Sequence, residues 1–146
     1  MPYYSTRSAT RLAECHADLR ALFDEVIKHR DCSILCGARS QADQDQAVAE
    51  RRSKAVWPTS NHNVDGVRRV TSWACDVSPY PIDWENLERF AGFAEFVLET
   101  AAAMLADGRM TYAVRWGGDW DGDGDWRDER FLDMPHYELI GAEYGT

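Results

Sequence analysis

The segment from residue 84 to residue 107 constrains the fold most, because it predicts one long amphipathic helix. Apolar residues recur in it every three or four positions, which places them on one face: Leu87, Phe90, Ala94, Val97, Leu98, Ala101 and Leu105. Asp83 is a candidate N-cap, and Gly108 ends the periodic pattern. Because an apolar face must be covered by a second layer, we expect this helix to lie at the centre of the hydrophobic core.

Two further helices are predicted near residues 16–30 and 40–50. The first has apolar residues at helical spacing, and the second opens at Ser40, with Asp43 three positions later as in a capping box. Strand candidates are residues 32–36, 70–77, 110–116 and 135–140. We therefore predict an α+β fold in which a small, mainly antiparallel sheet packs against about three helices.

Length and composition indicate one domain, spanning residues 1–146. The chain has 45% apolar residues, which is ample for one core. Its net charge of -9, from 25 acidic and 16 basic residues, argues against a nucleic-acid partner and favours a neutral or cationic substrate. We expect a monomer.

The N-terminal residues lack the apolar run of a signal peptide, and no segment approaches the roughly 20 apolar residues that span a bilayer. We therefore expect synthesis in the cytoplasm without membrane insertion.

The four cysteines show no CxxC spacing and lie in apolar surroundings: Cys15, Cys32, Cys36 and Cys75. Reduced core thiols are the favoured interpretation, and zinc binding by cysteine is a distant second. A Cys32–Cys36 disulfide is conceivable if that segment is a strand, but nothing in the sequence indicates it.

Two of the four histidines have neighbours that suggest chemistry. His16 and His29 fit a helix start and a last helical turn, whereas His62 lies in a polar loop and His136 follows a proline on a predicted strand. Each alone is most simply a surface histidine. Asp76 emerges from an apolar strand and needs a partner, and two imidazoles with one carboxylate can fill three positions of a tetrahedral zinc site with a water in the fourth.

Two other acidic residues lie close to His136 in sequence. Asp133 is either a turn residue before the proline or a general base that takes a proton from the water. Glu138 shares a strand face with His136 and is either an orienting partner of that histidine or a residue facing solvent.

Several linked motifs occur in order between Cys36 and Leu139. They are Cys36 to Arg39 with Gln44 or Gln46 after it, Ser60-x-His62, Ala74-x-Asp76, Pro79 to Trp84, Arg115 to Trp120 and Asp133 to Leu139. Together they resemble the zinc D-alanyl-D-alanine carboxypeptidase and L-alanyl-D-glutamate peptidase family, in particular its phage endolysin branch. That resemblance implies a Hedgehog/DD-peptidase-like fold.

The resemblance also implies roles for individual residues. One zinc ion would be bound by His62, Asp76 and His136, and Asp133 would be the catalytic base. Arg39 would contact substrate and the developing oxyanion, although a surface arginine near a helix start is its simpler interpretation. The residues that we expect to contact substrate are Ser60, Gln46 and Trp116.

One feature departs from the family pattern. His62 and Asp76 are 14 positions apart, farther than is usual in the family, so Val64 to Thr71 is interpreted as an insertion between the two ligands. Asp65 becomes a weaker rival ligand, but it lacks the Pro-Tyr-Pro sequence that follows Asp76.

The segment from Gly117 to Arg130 is rich in glycine and aspartate. Alternate aspartates at positions 119 to 125 suggest calcium, but position twelve of the loop is Arg130 where an EF-hand has glutamate. A solvated acidic loop is favoured, with weak calcium binding left open. The nearby tryptophans are core or cleft wall: Trp116, Trp120 and Trp126.

The resemblance implies hydrolysis of the L-alanyl-D-glutamate bond in peptidoglycan stem peptides, on the cell wall after release from the cell. The Pro79 to Trp84 and Arg115 to Trp120 segments favour this activity over that of a D-alanyl-D-alanine carboxypeptidase or dipeptidase. A non-catalytic, zinc-stabilised wall-binding domain is the alternative of another class, and it would have no need for Asp133.

Overall fold

The computed structural model describes residues 2–66, 69–129 and 132–141. These ranges contain four α-helices, one short 3-10 helix (Trp126–Asp128) and four strands, and the predicted α+β class is confirmed. The helices are α1 (Thr6–Ala13), α2 (Ala17–Ile27), α3 (Gln41–Ala49) and α4 (Leu87–Ala106). The strands are β1 (Cys32–Cys36), β2 (Ala74–Pro79), β3 (Val114–Trp116) and β4 (His136–Leu139).

The four strands form one antiparallel sheet in the order β1-β2-β4-β3. In this register Asp76 of β2 lies opposite His136 of β4, and Cys36 of β1 lies opposite Asp76 on the other side. Residues that are far apart in sequence thus meet near one end of the central strands.

The sheet separates the core from the site. Because side chains alternate between the two faces of a strand, Tyr137 and Leu139 of β4 enter the core while His136 and Glu138 face the other way. Helices α2 and α4 cover the core face, where the Tyr137 ring meets Phe23 at 5.5 Å between centroids. The predicted central role of α4 is confirmed, since Phe90, Ala94, Val97 and Ala101 are buried, but Leu105 of the predicted face is 37% exposed.

Three element boundaries differ from the predictions because of particular hydrogen bonds. Helix α4 is capped by Asn86, whose side chain accepts from the Arg89 N–H, while Asp83 closes an earlier turn by accepting from Glu85. Strand β3 starts late because the Asp18 carboxylate accepts the N–H groups of residues 111 and 112, at 2.8 Å each. Strand β2 also starts late, since the backbone of residues 72 and 73 bonds to Glu14 and Asn61.

Helix α1 was not predicted. It has eight residues, and only Ser8 and Leu12 are buried, so it carries no apolar face long enough to be recognised.

All four cysteines are free thiols, and only Cys36 is more than slightly exposed. Within the described ranges, no helix is both long enough and apolar enough to cross a membrane.

Candidate active site

Three side chains predicted to bind metal lie together at one end of the sheet. His62 Nε2 is 3.1 Å from Asp76 Oδ1 and 3.2 Å from His136 Nδ1, and His136 Nδ1 is 3.2 Å from the same Asp76 oxygen. Two nitrogens and one oxygen therefore form a nearly equilateral triangle.

The loop before β2 fixes the orientation of His62. The Nδ1 atom of His62 lies 2.8 Å from the Gly37 carbonyl oxygen, so Nε2 is the nitrogen that faces Asp76 and His136. Ser60 Oγ accepts from the His62 N–H, and Arg39 donates its N–H to the His62 carbonyl. Gly37 has no substitute here, because a Cβ atom would lie 2.2 Å from the Arg11 carbonyl oxygen of α1.

His136 is oriented from the opposite side by Glu138. His136 Nε2 lies 2.7 Å from Glu138 Oε1, and the other Glu138 oxygen is 3.4 Å from Arg115 Nη2. Glu138 is only 1% exposed, so of our two interpretations the one that places it in solvent is wrong. A carboxylate that holds the second nitrogen of a histidine is typical of metal sites.

The charges of this group reinforce one another. Burial alone would raise the pKa of Asp76, but the two imidazoles lower that pKa well below its usual value. Burial would lower the pKa values of both histidines, yet Asp76 raises that of His62, and Asp76 with Glu138 raises that of His136 to about 9. Asp76 and Glu138 therefore favour a positive charge at the two histidines.

Asp133 lies beside this triangle. Its Oδ2 atom is 3.8 Å from His136 Nδ1, and burial, followed by the charge of Asp76, raises the pKa of the Asp133 carboxyl. The turn from Asp133 to His136 packs against Gly117, where a Cβ would lie 2.4 Å from the Asp133 carbonyl oxygen. The Gly117 N–H donates to His136, and the Asp133 N–H donates to Gly117.

Arg39 also reaches the site. Its Nη2 is 3.8 Å from Asp76 Oδ2, and its Nη1 donates to Gln44 Oε1 at 2.9 Å. The side chain is 12% exposed, so the interpretation of Arg39 as a surface residue is wrong. Gln44 is fully buried, whereas Gln46 lines a cavity wall and donates to Glu50 on the exposed side of α3.

Two cavities meet at the site. The larger is about 710 Å³ and is lined in part by Cys36, Asp76 and Trp84, and the smaller is about 290 Å³ and is lined in part by His62, Trp120 and His136. Arg39, Arg52 and Asp133 line both cavities.

Of the residues predicted to contact substrate, Trp116 and Ser60 are both buried. Trp116 is 5% exposed and donates its indole N–H to the Met134 carbonyl, so it packs behind the site. Trp120 lines the smaller cavity, in the position that we predicted for Trp116. Trp126 packs against the core from its edge. Ser60 is buried and shapes the His62 turn; its contact with substrate stays a prediction.

A second possible ligand set includes a cysteine. Ligand atoms of Cys36, His62 and Asp76 lie within 4.8 Å of one another and could hold a metal ion. The Cys36 sulfur faces His62 Nδ1 at 3.9 Å, however, and that nitrogen already meets the Gly37 carbonyl. Asp65, the rival to Asp76, instead accepts from the Arg69 N–H.

The acidic loop gathers four carboxylates. Ligand atoms of Asp119, Asp121, Asp123 and Glu129 lie within 4.8 Å of one another and could hold a cation. Arg130, on which our argument against an EF-hand rested, lies outside the described residues.

Comparison with known proteins identifies the family. The family model for phage L-alanyl-D-glutamate peptidase matches residues 2–140. The chain belongs to this family. It is 29% identical over 116 residues to the L-alanyl-D-glutamate peptidase of Escherichia phage T5, which covers 75% of this chain and 76% of that protein.

A solved structure agrees with this assignment. The crystal structure of Serratia marcescens L-Ala D-Glu endopeptidase ChiX matches with a TM-score of 0.66 and 25% identity, over 94% of this chain and 90% of that one. The family resemblance and the fold class inferred from the motifs are both confirmed.

The sequence offered Gln44 only as an alternative to Gln46 and Trp120 only as core or cleft wall, and it did not single out Arg52 at all. For Gln44 a signal was present, since it follows Arg39 in the recognised motif. Arg52 gives no signal in the sequence, because basic residues in a polar loop usually face solvent.

Proposed function

We propose that this chain is a zinc-dependent L-alanyl-D-glutamate peptidase that cleaves the stem peptides of peptidoglycan. The observation that carries the proposal is the convergence of His62, Asp76 and His136 beside the Asp133 carboxyl, in a chain of this family. As in the relatives named for this activity, the bond would join L-alanine to D-glutamate. Action on the host wall during phage lysis follows as part of the proposal.

The donor atoms fit zinc. Ligands bonded to zinc at about 2.0–2.1 Å and tetrahedral angles lie roughly 3.3 Å apart, close to the 3.1–3.2 Å between the three donor atoms. Both histidines have a partner on the other ring nitrogen, which fixes the nitrogen offered to the metal. We therefore assign zinc to His62, Asp76 and His136 in preference to Cys36. When bound, zinc polarises a carbonyl and lowers the pKa of water.

Asp133 would transfer protons, Arg39 would stabilise negative charge, and Glu138 would orient His136. Asp133 would accept a proton from the attacking water and pass it to the leaving amine, a role that the raised pKa of its carboxyl favours. Arg39, held by Gln44, would donate hydrogen bonds to the oxyanion from its planar guanidinium. Glu138 would keep His136 in position.

The open ends of the site favour cleavage within a peptide. Asp133 lines both cavities, so a chain could extend away from the reacting bond in two directions. A carboxypeptidase needs space for little more than one residue beyond the bond, which makes D-alanyl-D-alanine cleavage the less favoured alternative.

Product analysis tests the proposal. Purified peptidoglycan is digested with the zinc-loaded protein, and the fragments are identified by mass spectrometry. We expect new L-alanine carboxyl termini and D-glutamate amino termini, lost with a chelator and restored by zinc. Release of D-alanine would favour the carboxypeptidase, and binding of the wall without any cleavage would favour a wall-binding domain.

A further inference from the structure

A short basic segment follows helix α3 and lies along the site. Arg51 and Arg52 line the larger cavity, and Arg52 and Lys54 line the smaller one. The chain as a whole carries a net charge of -9, so these cations oppose its overall charge. Carboxylates line the same cavities (Asp43, Asp76, Asp133 and Glu138), so the cavity walls offer an anionic group of the substrate particular cations rather than a net positive charge.

The backbone of this segment is fixed in place. Arg51 adopts a left-handed conformation (φ 61°), and the Arg52 N–H then donates to the Ala47 carbonyl at 2.8 Å. The Nε2 of Gln44 donates to Ser53 Oγ at 2.9 Å, and the Oε1 of the same amide accepts from Arg39. The buried side chain of Gln44 therefore keeps Arg39 at a fixed position relative to the basic segment.

Arg52 is the cation best placed to bind a substrate anion. Residues that line both cavities lie where the reacting bond must be, and Arg39 and Arg52 are the two cations among them. Arg39 is nearly buried and lies against Asp76, whereas the Arg52 side chain is 56% exposed. Arg52 Nε donates to Glu50 at 2.9 Å in a surface pair, which leaves its terminal fork available to a carboxylate.

The chemistry of the proposed substrate supplies that carboxylate. A D-glutamyl residue whose nitrogen belongs to the reacting amide has two carboxyl groups, and only one of them continues the chain. If the free group is the α-carboxylate, its carbon lies about 2.5 Å from the reacting nitrogen, by ordinary covalent geometry. A residue that binds this carboxylate must therefore lie at the junction of the two cavities.

We propose that Arg52 determines specificity by binding the free carboxylate of the D-glutamyl residue that follows the cleaved bond. This inference rests on the proposed function and adds the group by which the substrate is selected. It predicts that the enzyme distinguishes a D-glutamyl peptide from the same peptide in which the free carboxylate is an amide.

The test uses two synthetic stem peptides that differ only in this group. We measure kcat/KM on each for the wild-type zinc enzyme, Arg52→Gln and Arg52→Lys. Arg127→Gln is the matched control, because Arg127 is similarly exposed (61%), pairs with Glu88 and lines neither cavity.

Wild type is expected to prefer the carboxylate peptide by about 10- to 100-fold, the range for a charged hydrogen-bonded pair. In Arg52→Gln most of this preference should be lost, because kcat/KM should fall for the carboxylate peptide and stay unchanged for the amide peptide. Arg52→Lys should be intermediate, since a point charge lacks the planar fork. The control should keep the wild-type preference.

Three results would overturn the inference: no preference in wild type, an unchanged preference in Arg52→Gln, or an equal loss on both peptides. Failure of the proposed function is distinct, because wild type would then cleave neither peptide between alanine and glutamate.

Discussion

At the scale of single residues, Asp76 is the centre of the site. It meets His62, His136 and Arg39, and the sheet register sets it opposite His136. A carboxylate on an apolar strand is costly unless it is paired, so its partners could be expected from the sequence. The arrangement explains why chemistry concentrates at this end of β2.

Replacing Asp133 with asparagine is expected to abolish most turnover while keeping the fold and the zinc. Asparagine preserves shape but cannot accept a proton, and loss of a general base typically costs about 10²- to 10⁴-fold. The measurements are kcat on a stem peptide and zinc content by mass spectrometry. Asp43 lines the larger cavity together with Asp133, so Asp43→Asn is the matched control, and its kcat should be close to that of wild type. Near-normal turnover of zinc-loaded Asp133→Asn would assign the base to another residue.

The two possible ligand sets give opposite results for a pair of variants. If zinc is bound by His62, Asp76 and His136, then His136→Ala should lose zinc, with affinity reduced by about 100-fold or more, and Cys36→Ser should retain it. Competition with a chromogenic zinc chelator measures both affinities. Loss of zinc in Cys36→Ser with retention in His136→Ala would assign the metal to the thiol-containing set.

The sequence predicted which residues meet, but it did not show which of two candidate side chains faces Arg39 or the cavities. Residues two apart in a helix point in nearly opposite directions, so only one of Gln44 and Gln46 could face Arg39. Helix α3 buries only Gln44 and Ala47, and it has no apolar face to show which side is inward. Trp116 ends strand β3 and Trp120 lies in the loop that follows, where no sequence period predicts which way a side chain faces.

At the scale of elements, the segment from Val64 to Thr71, which we interpret as an insertion, is tied to the site. Its Arg69 is 5% exposed, donates from Nη1 to Asn61 Oδ1 at 2.7 Å and lies over the Trp73 ring at 5.3 Å. Asn61 directly precedes His62 and lines the smaller cavity. Residues 67 and 68 of the insertion lie outside the described residues.

Arg69→Met is expected to lower the free energy of unfolding by about 1–3 kcal/mol, because the buried Asn61 oxygen loses its charged donor. If the insertion also positions His62, zinc affinity should fall by roughly 10-fold. Chemical denaturation and chelator competition measure the two effects, and exposed Arg7→Met is the control. A stable variant with normal zinc affinity would show that the insertion is independent of the site.

The fold was predictable where periodicity was strong. Helices α2 and α4 and strand β1 follow from apolar spacing and turn residues. Helix α1 buries too few residues to show an apolar face, and the starts of β2 and β3 depend on partners that local sequence does not show: Glu14 and Asn61 for β2, and Asp18 for β3. Glu14 also accepts from the Ala38 N–H beside Gly37, and Asn61 directly precedes His62, so these two partners matter for the site as well.

At the scale of the whole molecule, charge is distributed unevenly. The chain is strongly acidic, yet its two cavities are lined by as many basic side chains (Arg39, Arg51, Arg52 and Lys54) as acidic ones (Asp43, Asp76, Asp133 and Glu138). We predicted a neutral or cationic substrate from the net charge alone, and this uneven distribution shows why net charge describes the site poorly. A short anionic peptide whose carboxylate lies at Arg52 would experience mainly that nearby cation, whereas a wall that displays many carboxylates would experience the whole acidic protein.

Salt should therefore change the two activities in opposite directions. The screening length falls from about 30 Å at 0.01 M salt to about 10 Å at 0.1 M, which weakens both local attraction and long-range repulsion. Between these concentrations we expect kcat/KM on a short carboxylate peptide to fall several-fold, while the rate on intact peptidoglycan rises. Initial rates across a salt series measure both, and an amidated peptide serves as the control that should change little. Equal responses on the short peptide and the intact wall would mean that one electrostatic effect, either the local or the overall one, governs both.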